Sequence, residues 1–278
     1  MATLYVVGTP IGNLGDLSAR AAETLRLVTR VFAEDTRRTR SLLAHLGIQG
    51  KPVIRLDAHA ELGRVTRLVE GLEHDESVAL VTDAGTPGVS DPGALLVRTA
   101  LEHGVRVVPI PGASAVTAAV AASGLVEGPF LFLGFLPRHG KKRTAALERL
   151  TASDEPVVLF ESAQRLSETL AEFAKLQPER RAVLCRELTK LHEEILAGTL
   201  SELAGIEREW LGEVTLVLAA SPRPDTPAEE PADLDAEIER RLAKGAHAKE
   251  LASELAGRLG LPRRALYARV LTVRERLR

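Results

Sequence analysis

Short apolar runs of β type alternate with stretches of helical period along the first half of this chain, and each run ends at Gly, Pro or Asp. The runs are Leu4–Val7, Val53–Leu56, Val78–Val81 and Val105–Ile110. Amphipathic segments Ser18–Thr29, Arg38–Leu46, Glu61–Leu72 and Pro92–His103 lie among them. Near-continuous apolar strands alternating with helices predict an α/β fold, a mostly parallel sheet covered on both faces. Open sheets of this kind bind ligands outside the carboxyl ends of their strands, which is where the Gly, Pro and Asp residues fall.

The pattern breaks at Val126–Pro129, and a second β-rich half follows with runs Phe130–Phe135, Val157–Phe160, Ala182–Arg186 and Val214–Leu218. Helical segments Thr144–Leu150 and Leu166–Leu176 separate them. The segment 221–233 is rich in proline and small or acidic residues and reads as a linker. Leu234–Arg278 reads as wholly helical. The expected division is therefore 1–125, 126–220, a linker at 221–233 and a helical extension at 234–278, within what 278 residues accommodate.

Net charge is −2 and aromatics are 3%, figures that at first oppose a nucleic-acid partner and a base-stacking platform. The total conceals an asymmetry. Residues 234–278 hold eleven basic and six acidic side chains, net +5, and the remainder holds 25 and 32, net −7. Within the extension, helix Lys249–Leu259, turn Gly260–Pro262 and helix Arg263–Val273 have the form of a helix-turn-helix. Such a module either contacts nucleic acid, with Arg263 and Arg264 leading its second helix, or packs as a structural cap. The lone Cys185 cannot form an intramolecular disulfide, which fits a reducing compartment or a fold indifferent to redox, and the expected location is cytoplasmic. No zinc-type spacing, signal peptide or membrane-length apolar run is present in the sequence.

Four loops of the first half can carry chemistry. Gly8–Leu14 (GTPIGNL) lacks the pattern of a dinucleotide or Walker loop, and reads either as a plain strand-to-helix turn or as a close backbone approach to a ligand. In Glu34-Asp35-Thr36-Arg37, Asp35 or Thr36 can cap the following helix. Alternatively, the carboxylate pair beside Arg37 faces the cleft to accept a proton or orient a sugar hydroxyl. In Asp83–Gly93 (DAGTPGVSDPG), Ser90 or Asp91 before Pro92 reads as a helix start, leaving Asp83 as an acidic group at a strand mouth. Pro109–Ala115 fixes a turn before an Ala-rich helix, whose first N–H groups can bind polar atoms. In the second half, Arg138, His139, Lys141, Lys142 and Arg143 crowd a helix N-terminus. The dipole disfavours cations there, so the cluster reads as a solvated loop or as a phosphate contact. Phe160–Arg165 and Cys185–Glu194 end two further strands.

The segments GTPIGNLGDLS, AEDTRRT, DAGTPGVSDPG, VVPIPGASA, GFLPR, LFES, RELTKLHEE and GEVTLVL run in this order across residues 4–219. Together they resemble the tetrapyrrole-methylase-fold methyltransferases. Within them, the resemblance is to the group that methylates the ribose 2′-oxygen of a cytidine in the decoding region of small-subunit (16S) ribosomal RNA. The resemblance implies two α/β domains with an inter-domain cofactor cleft, a basic helical C-terminal extension, S-adenosylmethionine as cofactor, a homodimer and no membrane. It places cofactor contacts at Pro10, Asp83, Thr86, Ser114 and Ala115, and in the second half at Phe160, Leu188, Glu213 and Val214. Two segments depart from the group's pattern. Around His59 and Glu61 the residues at 57 and 60 differ, and Glu161–Arg165 lacks the group's Pro and His. The candidate catalytic residues are therefore Glu34, Asp35, Arg37, Glu187 and Lys190, with Asp35 or Glu187 as base or orienter and Lys190 and Arg37 stabilising charge or holding phosphate. Two other readings stay open: a corrinoid-precursor methyltransferase of the same fold, and a nucleic-acid-binding protein that senses S-adenosylmethionine.

Overall fold

The computed structural model describes residues 1–56, 62–72, 74–221, 234–259 and 263–276, the side chains of 257–259 and 263–265 excepted. All of the expected 221–233 linker but Ser221, the segment holding His59 and Glu61, the turn Gly260–Pro262 and the side chains of Arg263 and Arg264 lie outside the described residues. The chain divides into two compact units, Met1–Ser221 and Pro222–Arg278.

The first unit holds two sheets. Strands β1 (Thr3–Val7), β2 (Arg30–Ala33), β3 (Val53–Arg55), β4 (Ser77–Val81) and β5 (Arg106–Ile110) pair in the order β3-β2-β4-β1-β5, all parallel. Alternation along each strand sorts the core onto two faces. Phe32, Val78 and Leu80 pack with α3 (Leu62–Glu70) and α4 (Ala94–Glu102). Val31, Ala33, Ala79 and Val81 pack with α1 (Ala19–Leu27) and α2 (Thr36–His45). Burial on both faces accounts for the unbroken apolar runs. The chain leaves β1 toward one edge of the sheet and β4 toward the other, so their carboxyl ends flank a topological switch point.

The second sheet, β6 (Leu131–Phe135), β7 (Val157–Ser162), β8 (Arg181–Arg186), β9 (Glu194–Thr199) and β10 (Glu213–Leu218), has the order β6-β7-β10-β8-β9. It is mixed: β6 and β7 run parallel, and the other pairs are antiparallel. One face carries α6 (Lys141–Thr151), α7 (Ala163–Leu176) and α8 (Leu200–Ala204) over Leu159, Leu184 and Leu216. The other face receives α5 (Ala115–Ser123), which follows β5 yet buries Val116 and Ala119 against Val158, Val183 and Val217. The Ala-rich helix therefore belongs to the core of the second sheet, where its small side chains permit close approach.

The second unit consists of α9 (Leu234–Ala243), α10 (Ala248–Leu259) and α11 (Arg263–Arg276) around a core of its own, with Ile238, Leu255 and Val270 fully buried. Arg269 to Asp235 (2.7 Å) and Arg241 to Glu254 (2.6 Å) tie its helices together. Among the described residues no helix is long and apolar enough to cross a membrane.

Candidate active site

The loops after β1, β4 and β5 are locked together by main-chain contacts. Thr9 and Gly85 exchange backbone hydrogen bonds of 2.8 and 3.1 Å, and the Thr9 hydroxyl donates to the Thr82 carbonyl at 3.2 Å. Gly8 and Gly112 touch: a Cβ on Gly112 would lie 2.7 Å from the Gly8 carbonyl oxygen. These glycines are required by proximity of backbones. The first loop also presses on the segment after β8. Asn13 N–H donates to Thr189 Oγ1 at 3.1 Å, and a Cβ on Gly12 would lie 2.3 Å from Lys190 Cγ.

Two adjoining cavities result. The first, about 350 Å³, has Ile11, Ala84, Gly85, Thr86, Ser114 and Ala115 on one side. Phe135, Phe160, Glu161, Val214 and Thr215 face them, with Ser90, Asp91 and Glu213 also in the lining. Phe160 is fixed edge-on against Phe132 at 5.1 Å and tilted against Phe135 at 5.3 Å. The second cavity, about 370 Å³, takes Pro10, Gly12, Arg38, Ser41, Asp83 and Lys190, and shares Ile11, Ala84 and Glu213 with the first. Of the residues singled out as cofactor contacts, Thr86, Ser114, Ala115, Phe160, Glu213 and Val214 line the first cavity. Pro10 and Asp83 line the second, again with Glu213. Leu188 is packed with Ile11 and Val116 in the core beneath and lines neither cavity.

Sequence reading missed Asp91. The Ser90-Asp91-Pro92 pattern reads as a helix start, but α4 begins only at Ala94, with Gly93 as N-cap at φ +135°. A Cβ on Gly93 would lie 2.8 Å from Leu80 Cδ2. Asp91 is thereby kept out of the helix and put into the cavity wall. Burial holds its carboxyl above the ordinary aspartate value, against a hydrogen bond with Thr82 and with help from the charges of Asp83 and Glu213. Glu34 lies nearby at the end of β2 and accepts from Thr82 Oγ1 at 3.2 Å. It is raised in turn by burial and by the charges of Asp83 and Asp91.

Asp35, by contrast, is the N-cap of α2, and Thr36 is the first helical residue. Its carboxylate accepts from Arg37 N–H at 2.8 Å and from Arg37 Nη2 at 3.0 Å, and these bonds hold it at about 2. The reading of Asp35 as a base is corrected accordingly: a carboxylate that acidic is a poor proton acceptor, and Arg37 is spent largely on it. Glu187 is likewise engaged by its neighbours. Burial opposes its charge, but Lys190 Nζ at 2.8 Å and the Glu213 N–H at 2.9 Å outweigh burial and hold it below the ordinary glutamate value. Lys190 bridges Glu187 and Glu213 (3.0 Å). Despite burial it is held above the ordinary lysine value, a fixed cation at the edge of the second cavity.

Among the cations read as phosphate-facing, Arg138, Lys141 and Lys142 are exposed. Arg143 turns inward: Nε donates to Glu172 at 3.1 Å and Nη1 to the Pro137 carbonyl at 3.1 Å. Its role is to hold α6 to α7, which removes it from the phosphate set.

Two α/β sheets whose loops close over a shared pair of cavities define a fold class. The model of the Tetrapyrrole (Corrin/Porphyrin) Methylases matches residues 3–204. Solved structures of the same fold include a diphthine synthase (TM-score 0.60, 22% identity, 79% of this chain and 90% of that chain). Another is uroporphyrin-III C-methyltransferase from Thermus thermophilus complexed with S-adenosylhomocysteine (TM-score 0.55, 21% identity, 78% and 97%). The chain belongs to the tetrapyrrole methylase family. It is similar to the ribosomal RNA small subunit methyltransferase I of Xylella fastidiosa, 44% identical over 95% of this chain and 97% of that one. It is likewise similar to the protein of that name from Bacillus subtilis, at 39% identity over 96% and 93%.

Proposed function

We propose that this chain is an S-adenosylmethionine-dependent methyltransferase that modifies the ribose 2′-hydroxyl of a cytidine in the 16S RNA of the small ribosomal subunit. The observation that carries this is identity of 39–44% to relatives of that name along nearly the whole chain, the helical extension included. The first cavity suits the cofactor in size and lining. Small residues at Ala84, Gly85 and Ala115 bare the backbone, Phe160 and Val214 offer apolar surface, and the Thr86 and Ser114 side chains are polar. When bound, S-adenosylmethionine supplies an activated methyl group on a positively charged sulfur. The carboxylates of Asp91 and Glu213 in the lining favour a cation there.

A ribose hydroxyl is a weak nucleophile until it gives up its proton. Asp91, raised above the ordinary aspartate value and present in the cavity wall, is the acceptor, with Glu34 behind it across Thr82. Lys190 supplies fixed positive charge, and Glu187 fixes Lys190. Asp35→Asn keeps the cap acceptor, so the variant is expected to transfer methyl within about threefold of wild type, since Asn and Asp cap comparably. A loss of a hundredfold or more in that assay would return Asp35 to the catalytic set.

The reading carries a homodimer in the cytoplasm. Leu191, Leu211 and Ile195, 92%, 65% and 43% exposed, are apolar side chains available to such an interface. The test is incubation with labelled S-adenosylmethionine and small ribosomal subunits lacking the modification, with nuclease digestion and mass spectrometry of the RNA, and light scattering on the same preparation. Label on a cytidine ribose and a dimeric mass are expected. Label on a base overturns the assignment. So does transfer to a corrinoid precursor with none to RNA, or cofactor binding without turnover.

A further inference from the structure

The second cavity holds, beside Pro10, Asp83 and Glu213, two cations that a cationic cofactor does not explain. It adjoins the first through Ile11, Ala84 and Glu213, and its lining includes Arg38, Ser41 and Lys190. Arg38 stands on the first turn of α2 between Arg37 and Arg40, all three exposed, with side chains of Arg37 and Arg38 87% and 64% accessible. The helix dipole disfavours cations on the first turn, so Arg37 and Arg38 there are not explained by the helix. Nor does internal pairing explain them all. Arg37 answers Asp35 and Arg38 makes a long, exposed ion pair with Asp83 at 3.7 Å that leaves its hydrogen-bond donors open, while Arg40 donates to the neutral Thr36 hydroxyl at 3.3 Å.

We propose that the second cavity receives the acceptor nucleotide, and that Arg38 together with Arg40 on the outer turn of α2 grips the RNA phosphates on either side of it. This rests on the reading above that RNA is the substrate. A strip of guanidinium groups running out of a cavity fits a polyanion that enters and leaves, where a single small anion would need one fork only. The shared wall fits too, because a methyl group passes only between groups in contact.

The experiment uses the full chain and the variants Arg38→Gln, Arg40→Gln and Arg38→Lys, each checked for wild-type thermal unfolding. Binding to small ribosomal subunits lacking the modification is read by co-sedimentation, and binding of S-adenosylmethionine by calorimetry. The expected result for Arg38→Gln is about tenfold weaker subunit binding and a log–log salt slope shallower by about 1, as for loss of one phosphate contact. Arg40→Gln moves the same way. Arg38→Lys keeps the charge and most of the binding, and cofactor affinity stays within about twofold in all three. Unchanged subunit binding in Arg38→Gln overturns the proposal. So does a matching loss of cofactor affinity, which gives the second cavity to the cofactor. If wild type binds subunits but transfers nothing to them, the functional reading fails while the binding comparison still decides this inference. Wild type that does not bind subunits overturns both.

Discussion

Asp91→Asn slows methyl transfer at saturating cofactor about 10²–10⁴-fold, the range for loss of a general base. The rate of the wild-type protein falls as pH drops through the Asp91 pKa, which lies above the usual aspartate value of 3.8. In the variant that acid limb disappears. Stability moves the other way. A carboxyl whose pKa is raised by folding stabilises below its unfolded pKa and loses that contribution as pH rises through its folded pKa. Above its raised pKa the partly buried Asp91 is a burden on the fold, and asparagine relieves it. A large rate loss in a protein no less stable to urea separates catalysis from structure. Turnover near wild type would remove Asp91 from the mechanism.

Gly112→Val has the second large effect. The new Cβ lies 2.7 Å from the Gly8 carbonyl oxygen and 2.8 Å from its carbon, both of them main-chain atoms that cannot rotate away. The loops after β1 and β5 must part, and the paired Thr9 and Gly85 move with the first. A displacement near 1 Å at reacting groups costs about 10²-fold in kcat/KM. Overpacking of this kind adds about 1–3 kcal/mol of destabilisation. Gly128, where a Cβ meets open space, provides the control and should accept alanine with activity intact. Retained activity in Gly112→Val would mean that the two loops are not held as described.

The long apolar runs of the sequence became strands because burial on both faces demands such runs, and the site loops were legible because Gly and Pro mark the carboxyl ends. What escaped depended on tertiary position. Strand β2 is four residues, Arg30–Ala33, made a strand by β3 and β4 on either side. Strand β9 sits at the sheet edge, alternates partly buried and exposed residues from Glu194 to Ala197, and carries Ala197 and Gly198, weak strand formers. The mixed direction of the second sheet leaves no trace in periodicity. At the site, local pattern misassigned Asp91 because a helix start and a cavity wall use the same Ser-Asp-Pro residues, and only the positive φ of Gly93 chooses between them. Charge alone misread Arg143, since an inward and an outward arginine are identical in sequence. The reading of Thr86, Ser114, Phe160 and Val214 as site residues came from resemblance, and all four line the first cavity.

Helix α5 begins at the cavity, with Ser114 and Ala115 in its lining, and ends its work in the core of the second sheet, with Val116 and Ala119 against β7, β8 and β10. Occupancy and folding are therefore coupled through one element. The start of α5 lines the first cavity and its body packs in the core of the second sheet, while the Gly8–Gly112 contact ties the preceding loop to the first. A bound cofactor thus favours the folded state by mass action in both sheets at once. With the cofactor in the first cavity as proposed, the two halves of the unit are expected to share one ligand-dependent melting transition in calorimetry, and two separate transitions would show that α5 does not couple them.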